Sequence, residues 1–234
     1  MHLSEAGLFK RFDRRYLKPW LRTNSGGVEV HYKKHLDGGG MSFGQDFIPF
    51  LQSRNMPKQT RVFEWCAGPG FIGFSMLGHG LCDSLCLADV NDEAVIACRR
   101  TIRSNRLHGR VSVYQSDNLK QVPSMEQWDL IVSNPPHFAD EMVGRLKEHD
   151  PEWRLHREFF TGVGAHLKPG AVIVLQENNR GSTSEAFQPM IEAAGLSIVF
   201  THRCAPSRTA DHRFYFIGIM RNGDVRPSWV QARP

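Results

Sequence analysis

The chain has 234 residues, of which 41% are hydrophobic, and this suits one globular domain with an appendage or at most two small domains. No stretch approaches the roughly 20 apolar residues of a membrane span, and cations interrupt the N-terminus where a secretory signal needs an apolar core. We therefore expect no membrane partner and a cytoplasmic location. The five cysteines are odd in number and scattered, which favours reduced thiols and no metal site.

The formal charge of +5 is concentrated at the N-terminus. Residues 1–35 hold eight lysine or arginine residues against three acidic ones, so the remainder is formally neutral. Apolar side chains at helical spacing predict a helix over 5–22, and alternation predicts a strand at 28–32. The basic segment at 10–22 could bind nucleic acid, although a solvated helix face has the same composition.

A glycine run at 38–40 separates this extension from the rest of the chain. The sequence thus predicts an N-terminal extension at 1–37 and a main domain at 38–234. The glycine run suits a lid over a ligand or a simple linker. Asp46 is placed to cap the helix that follows it, and the last ten residues resemble a loose tail.

The main domain is organised around residues 61–73, which predict a buried strand, a glycine turn and the start of a helix. Gly68 and Gly70 allow backbone conformations and a close approach of a ligand that a Cβ would prevent. Glu64 lies near the end of the strand, where open α/β sheets bind their ligands. The stretch therefore predicts one wall of a ligand site.

Two further acidic residues follow later strands. Asp89 lies 21 residues beyond Gly68, a spacing typical of a carboxylate that accepts hydrogen bonds from ribose hydroxyls. Asp117 follows the third strand and could accept from an adenine amino group or cap a turn. Asn91 predicts the N-cap of the helix between them.

The fourth strand runs directly into Asn134-Pro135-Pro136-His137-Phe138. Two prolines cannot continue a central strand, so they predict a rigid loop at the carboxyl edge of the sheet. That loop holds the Asn134 amide and the Pro135 carbonyl in one geometry.

Strands alternate with helices until a final pair of strands, which predicts an α/β fold with a mostly parallel sheet and helices on both faces. The seven predicted strands lie at 61–66, 86–89, 111–114, 128–133, 171–175, 197–200 and 214–219. A further helix is predicted over 182–194, with Gly195 at its C-cap.

The ordered set formed by the glycine turn, the acidic residues and the Asn-Pro-Pro loop resembles class I methyltransferases that use S-adenosylmethionine. Within them it is similar to the Asn-Pro-Pro-aromatic branch, which methylates planar nitrogens of adenine, guanine and protein glutamine. The resemblance covers roughly residues 38–220 and implies a Rossmann-like, seven-stranded fold. It implies S-adenosylmethionine contacts at Glu64, Cys66, Gly68, Gly70, Asp89, Val90, Asp117, Asn118 and Asn134. Cys66 stands where the family usually has the first glycine of the turn.

The same resemblance gives Asn134 and the Pro135 carbonyl the role of accepting hydrogen bonds from the target nitrogen. His137 departs from the family, because a stacking tyrosine or phenylalanine is usual there. A histidine offers a flat ring and also a proton acceptor, so we expect His137 to bind or deprotonate a polar substrate. The remaining expected substrate contacts are Pro136, Phe138 and Trp153.

These features predict a methyltransferase acting on a planar or amino nitrogen of a small metabolite or a protein side chain, because the stacking aromatic is missing. The alternatives are an RNA or DNA base methyltransferase acting on adenine N6 or guanine N2, a non-catalytic scaffold with this fold, and a dinucleotide oxidoreductase. The sequence leaves open the methyl acceptor, the number of methyl groups transferred and the oligomeric state.

Overall fold

A computed structural model describes residues 19–139, 149–204 and 213–231. Most of the predicted N-terminal helix and of the basic segment lies outside these residues. Strand β1 (Leu21–Ser25) pairs antiparallel with β2 (Val28–Tyr32) through a turn in which Gly26 and Gly27 have positive φ. The predicted strand at 28–32 is confirmed. The predicted helix is wrong over 19–22, the part of it that the structure describes, because residues 19 and 20 are not helical and the glycine turn folds 21 and 22 into a hairpin.

Within the described ranges, seven further strands form one sheet in the order β5-β4-β3-β6-β7-β9-β8. They are β3 (Gln59–Trp65), β4 (Cys82–Asp89), β5 (Val111–Gln115), β6 (Trp128–Ser133), β7 (Leu167–Asn178), β8 (Leu196–Arg203) and β9 (Phe214–Arg221). All neighbours run parallel except β9, which is antiparallel to β7 and β8. The strand order reverses between β3 and β6, which is where open α/β sheets bind ligands.

Helices cover both faces of this sheet. They are α1 (Phe47–Ser53), α2 (Phe71–Gly78), α3 (Asp92–Ser104), α4 (Arg154–Val163), α5 (Ser184–Ala193) and α6 (Ser228–Gln231). Val62 of β3 joins the core beneath α1 and α2, whereas Phe63 and Trp65 join the core beneath α4 and α5. Trp65 stacks on Phe159 of α4 with ring centroids 4.0 Å apart. The predicted α/β fold with a mostly parallel sheet is confirmed.

The β1–β2 hairpin packs on α3 and shares the core of the main sheet. Val30 is fully buried, and the backbone N–H of His31 donates to Thr101 Oγ1 at 2.9 Å. The Asn105 side chain bonds both the N–H and the carbonyl of Glu29, as a neighbouring strand would do. Because the hairpin is anchored in this way, the segment that follows it is brought to the carboxyl edge of the sheet.

Two local predictions need correction. The supposed C-terminal tail forms α6, where Trp229 is buried and Arg54 donates to the carbonyls of Trp229 and Val230. Asp46 precedes α1 but makes no capping hydrogen bond, because α1 continues directly from the 3-10 turn Phe43–Asp46. Among the described residues, no helix is long and apolar enough to cross a membrane.

Candidate active site

The turn between β3 and α2 depends on left-handed backbone conformations. Cys66 and Gly68 have φ of 52°, and Gly70 has φ of 81°. A Cβ on Gly70 would lie 2.7 Å from the Phe74 ring, so glycine is required there for space as well as for conformation. Cys66 adopts a positive φ that is uncommon for a residue with a side chain. This explains why the related enzymes usually have glycine at its position.

The Glu64 side chain accepts hydrogen bonds from the first turn of α2. Its Oε1 accepts from the Ile72 N–H at 3.2 Å and its Oε2 from the Gly73 N–H at 2.7 Å. Burial raises the pKa of Glu64 to about 8, although both backbone N–H groups act to lower it. Its expected contact with the amino-acid end and the sulfonium of the cofactor stays a prediction, and the structure adds this capping role.

Asp89 ties the glycine turn to the start of α3. One carboxylate oxygen accepts from the Gly68 N–H at 2.6 Å, and the other accepts from the Asn91 N–H at 2.8 Å. Asn91 in turn accepts from the Glu93 N–H, which confirms the predicted N-cap. Each Asp89 oxygen keeps a further lone pair for a ligand hydroxyl. Val90, beside it, is 65% exposed although it is apolar.

The loop after β5 is tied to neighbouring cations and to α4. The Asp117 carboxylate pairs with Lys120 at 2.6 Å and lies 3.6 Å from an Arg154 nitrogen, and the Lys120 contact is the main reason that the pKa of Asp117 is lowered. Asn118 has a φ of 58°, and its side chain donates to the Leu155 carbonyl. Both residues still lie at the ligand side, so their predicted cofactor contacts remain predictions.

The Asn-Pro-Pro loop lies beside the glycine turn because Ser133 Oγ donates to the Trp65 carbonyl at 2.6 Å, which joins the ends of β6 and β3. Asn134 Oδ1 is buried and has no partner among the residues that the structure describes. The His137 side chain is also buried, and its Nδ1 lies 3.8 Å from Glu177 Oε2. Sequence reasoning missed Ser133, although a serine at the end of an apolar strand is a detectable signal.

These loops enclose a cavity of about 450 Å³ at the carboxyl ends of β3 to β6, a size typical of small-molecule sites. The predicted residues that line it are Glu64, Cys66, Gly68, Asp89, Val90, Asp117, Asn118, Asn134, Pro135, Pro136 and His137. The lining also includes residues that sequence reasoning did not assign, namely His35, Leu36, His149, Arg154 and Leu155. Gly38 and Gly40, from the run interpreted as a lid or a linker, form part of the wall.

Three predicted site residues lie behind the cavity wall. Gly70 supports the turn against Phe74 and does not line the cavity. The Phe138 ring is buried, and its backbone carbonyl accepts from the Asp150 N–H at 2.7 Å. Trp153 packs against His156 and Phe187 with centroid distances of 5.3 and 4.8 Å. Phe138 is buried and Trp153 is half-buried against the core, and their expected contacts with a substrate remain predictions.

A buried chain of charged side chains lies behind His137, and sequence reasoning missed it. His156 Nδ1 is 2.7 Å from Asp150 Oδ2, and His156 Nε2 is 3.1 Å from Glu177 Oε1. Burial acts to lower the pKa of His156, but the two carboxylates outweigh it and raise that pKa to about 9. The available sequence signal for Glu177 was the polar segment Gln176-Glu177-Asn178, which directly follows the apolar run of β7.

The fold and the cavity together define a class I S-adenosylmethionine-dependent methyltransferase. The sequence profile of the methyltransferase small domain matches residues 30–194, and the chain belongs to that family. This match confirms the family resemblance that the sequence predicted.

Relatives of known function cover both protein and RNA targets. A release factor glutamine methyltransferase from Clostridium acetobutylicum is 26% identical over 143 residues, which are 55% of this chain and 49% of the relative. A ribosomal RNA small subunit methyltransferase C from Shewanella denitrificans is 34% identical over 117 residues, 50% of this chain and 30% of the relative. The chain therefore spans about half or less of the length of these relatives.

A solved structure supports the fold at lower identity. The T. thermophilus 16S rRNA N2 methyltransferase, in complex with AdoMet and guanosine, superposes with a TM-score of 0.58 and 16% identity. The match covers 87% of this chain and 50% of that one.

Proposed function

We propose that this protein transfers a methyl group from S-adenosylmethionine to the nitrogen of a planar amide on a protein side chain. The observation that carries the proposal is Asn134 Oδ1, a buried acceptor at the cavity with no partner in the described part of the chain. Leaving such an atom unpaired costs about 1–3 kcal/mol, so a ligand N–H is its expected partner. A carboxamide nitrogen has two N–H groups, one for Asn134 and one for the Pro135 carbonyl.

The cavity fits S-adenosylmethionine through the residues around the glycine turn. Asp89 would bind the ribose hydroxyls with its remaining lone pairs, and exposed Val90 would pack on the adenine. Buried Glu64 and the backbone of the turn would hold the amino-acid end. When bound, the cofactor supplies a methyl group that is already activated on a sulfonium, so the protein has mainly to align the acceptor with it.

Asn134 and Pro135 then act on the charge of the acceptor. The lone pair of an amide nitrogen is delocalised into its carbonyl group and attacks poorly. Two acceptors on its N–H groups stabilise the positive charge that develops on the nitrogen during attack, and fixed acceptors need no reorganisation at that moment. The two prolines hold these acceptors in place.

An RNA base is the second candidate acceptor. The relative at 34% identity is named for ribosomal RNA, and the sequence carries its excess positive charge at residues 1–35. A nucleobase amine also has two N–H groups for Asn134 and Pro135. A small metabolite, which the sequence analysis predicted alongside a protein side chain, finds no support in the names of these relatives.

The test incubates the protein with S-adenosylmethionine carrying a labelled methyl group and with separate cell-protein and RNA fractions. We expect label in the protein fraction, and we expect Asn134→Ala to reduce it by about 100-fold or more. Asn222→Ala is the matched control, because Asn222 is exposed in the turn after β9. Label in RNA alone would establish the second candidate. Label in neither fraction, with cofactor binding intact in a titration, would contradict a role in macromolecular methylation.

A further inference from the structure

The buried chain behind His137 ends in two unsatisfied atoms that lie near each other. Asp150, His156 and Glu177 are joined by contacts of 2.7 and 3.1 Å. The second oxygen of Glu177, Oε2, lies 3.8 Å from His137 Nδ1. Both atoms are buried without a hydrogen-bond partner in the ranges that the structure describes. The chain therefore points from the interior of the α4 face to the cavity wall.

Aromatic rings surround this chain and exclude water from it. His156 stacks on Phe187 at 4.8 Å and meets the edge of Trp65 at 5.4 Å. Rings of Phe138 and Phe214 contact His137 edge-on at 5.8 and 5.7 Å. In such a medium charge–charge interactions are strong, and an unpaired polar atom is costly.

Two other titratable groups act on the chain from neighbouring elements. Tyr215 of β9 pairs with Glu177 across the sheet, and its hydroxyl donates to the Ser182 carbonyl at 3.1 Å. Burial is the main cause that raises the pKa of the Cys66 thiol well above its usual value, and Asp150 and Glu177 add to it. Burial also raises the pKa of Tyr215, so the Tyr215 hydroxyl and the Cys66 thiol are both neutral near pH 7. The charge of the buried chain of side chains therefore comes from Asp150, Glu177 and His156.

Asp150 has a structural role, because its carboxylate accepts from the N–H groups of Leu155 and His156 in the first turn of α4, whereas Glu177 faces only the two histidines among the described residues. At neutral pH His156 is an imidazolium between two carboxylates, since its pKa is raised to about 9. Replacing buried ion pairs by apolar residues is often neutral or stabilising, because taking charges out of water is expensive. A net negative charge held directly behind a cavity residue is better explained by an action on that residue.

We propose that Asp150, His156 and Glu177 position His137 as the base for methyl transfer. Glu177 Oε2 accepts the hydrogen of His137 Nδ1, which fixes the tautomer whose Nε2 carries the free lone pair toward the acceptor. This inference rests on the proposed function. The 3.8 Å separation is longer than a hydrogen bond, and such contacts commonly shorten when the substrate binds.

The proton balance gives such a base a role in the reaction. When the acceptor nitrogen forms its bond to the methyl carbon, the carbon–sulfur bond breaks with its electrons on sulfur, and the nitrogen is left with one proton too many. One of the two N–H protons leaves its hydrogen bond to Asn134 or to the Pro135 carbonyl after the methyl group is attached, passes to Nε2 of His137 and then to solvent, with no oxidation or reduction. Either candidate nitrogen loses a proton on methylation, so histidine in place of a stacking ring suits a carboxamide because a carboxamide offers no large aromatic face.

The test measures the tautomer of His137 in long-range ¹H–¹⁵N spectra of protein labelled with ¹⁵N at histidine. The spectra are recorded at a pH at which the imidazole is observed to be neutral. His137→Gln assigns the signal. We expect the Nδ1–H tautomer in the wild type and a shift toward Nε2–H in Glu177→Gln. The matched control is Glu126→Gln, because Glu126 is also buried and paired, with Arg61 at 2.7 Å, near the opposite edge of the sheet.

An Nε2–H tautomer in the wild type, or no response to Glu177→Gln, overturns the proposal. The wild-type spectrum alone decides the matter if Glu177→Gln fails to fold. This readout needs no methyl acceptor, so it is independent of the labelled-methyl assay. With an acceptor in hand, Glu177→Gln should lower kcat by about 100-fold with little change in KM. A changed KM with unaltered kcat would also overturn the proposal.

Discussion

The cofactor side and the acceptor side of the cavity satisfy their polar groups differently. On the cofactor side, Glu64 and Asp89 accept hydrogen bonds from the backbone N–H groups of the turn and of the helices that follow. On the acceptor side, Asn134 Oδ1, His137 Nδ1 and Glu177 Oε2 have no partner in the described residues. The difference indicates that the two carboxylates of the cofactor side are already held in place, although Asn118 Oδ1 there is also buried without a partner in the described residues, whereas the acceptor side keeps its hydrogen-bonding capacity for a substrate.

The largest expected effect is on the acceptor side and distinguishes the two candidate substrates. His137→Phe restores the usual aromatic ring but removes the base. For a carboxamide acceptor we expect turnover to fall by on the order of 100-fold, because general base catalysis is lost. Labelled-methyl transfer at saturating cofactor measures it. Retained or increased turnover, together with label in RNA, would instead favour a stacked nucleobase. His108→Phe, at an exposed position, is the control.

A substitution on the cofactor side should weaken binding of the cofactor itself. Asp89→Ala removes the acceptor for the Gly68 and Asn91 N–H groups and the expected ribose contact. Since a hydrogen bond to a charged group contributes about 1.5–3 kcal/mol, we expect S-adenosylmethionine to bind about 10- to 100-fold more weakly in a calorimetric titration. Asp129→Ala is the control, because Asp129 also accepts a backbone N–H, that of Arg61, but lies outside the cavity. Equal losses in both variants would mean general destabilisation.

The buried chain formed by Asp150, His156 and Glu177 should make the free energy of unfolding depend on pH. The pKa of His156 is raised from 6.5 to about 9 on folding, so its stabilisation is complete below pH 6.5 and is lost as the pH rises through 9. The loss is on the order of 3 kcal/mol. Urea unfolding across this range measures it. Glu64 acts in the same direction between pH 4.5 and 8, so the informative quantity is the difference between wild type and His156→Gln. Parallel curves would contradict the charged state of His156.

The smallest expected effect concerns the protonation of Glu64 when the cofactor binds. With a pKa of about 8, Glu64 is mostly protonated at pH 7, and a cationic cofactor placed near it would favour its ionised form. Cofactor binding should then release up to about one proton at pH 7. Calorimetry in two buffers of different ionisation enthalpy measures the proton count. Glu64→Gln should abolish the release, and a release that persists in this variant would place its source elsewhere.

Local patterns predicted the elements whose formation depends on neighbouring residues. The bounds of β6, the start of α2 at the glycine turn and the Asn91 cap all agree with the structure, because strand hydrophobicity, glycine conformation and capping act over a few residues. Local patterns misjudged β1 and α6. Pairing with β2 overrides the helical spacing in β1, and burial of Trp229 against the main core orders α6.

The sequence by itself determined the fold class, the turn and the position of the Asn-Pro-Pro loop, because parallel strands place their carboxyl ends at one edge. The tertiary structure decided which side chains work together there. Asp150, His156 and Glu177 are up to 27 positions apart and meet only because α4 packs on the face of β7. Phe138 and Trp153 are aromatic residues near the motif in sequence, yet the fold buries Phe138 and packs Trp153 against His156 and Phe187. Such long-range contacts depend on how the layers are assembled, which no local spacing specifies.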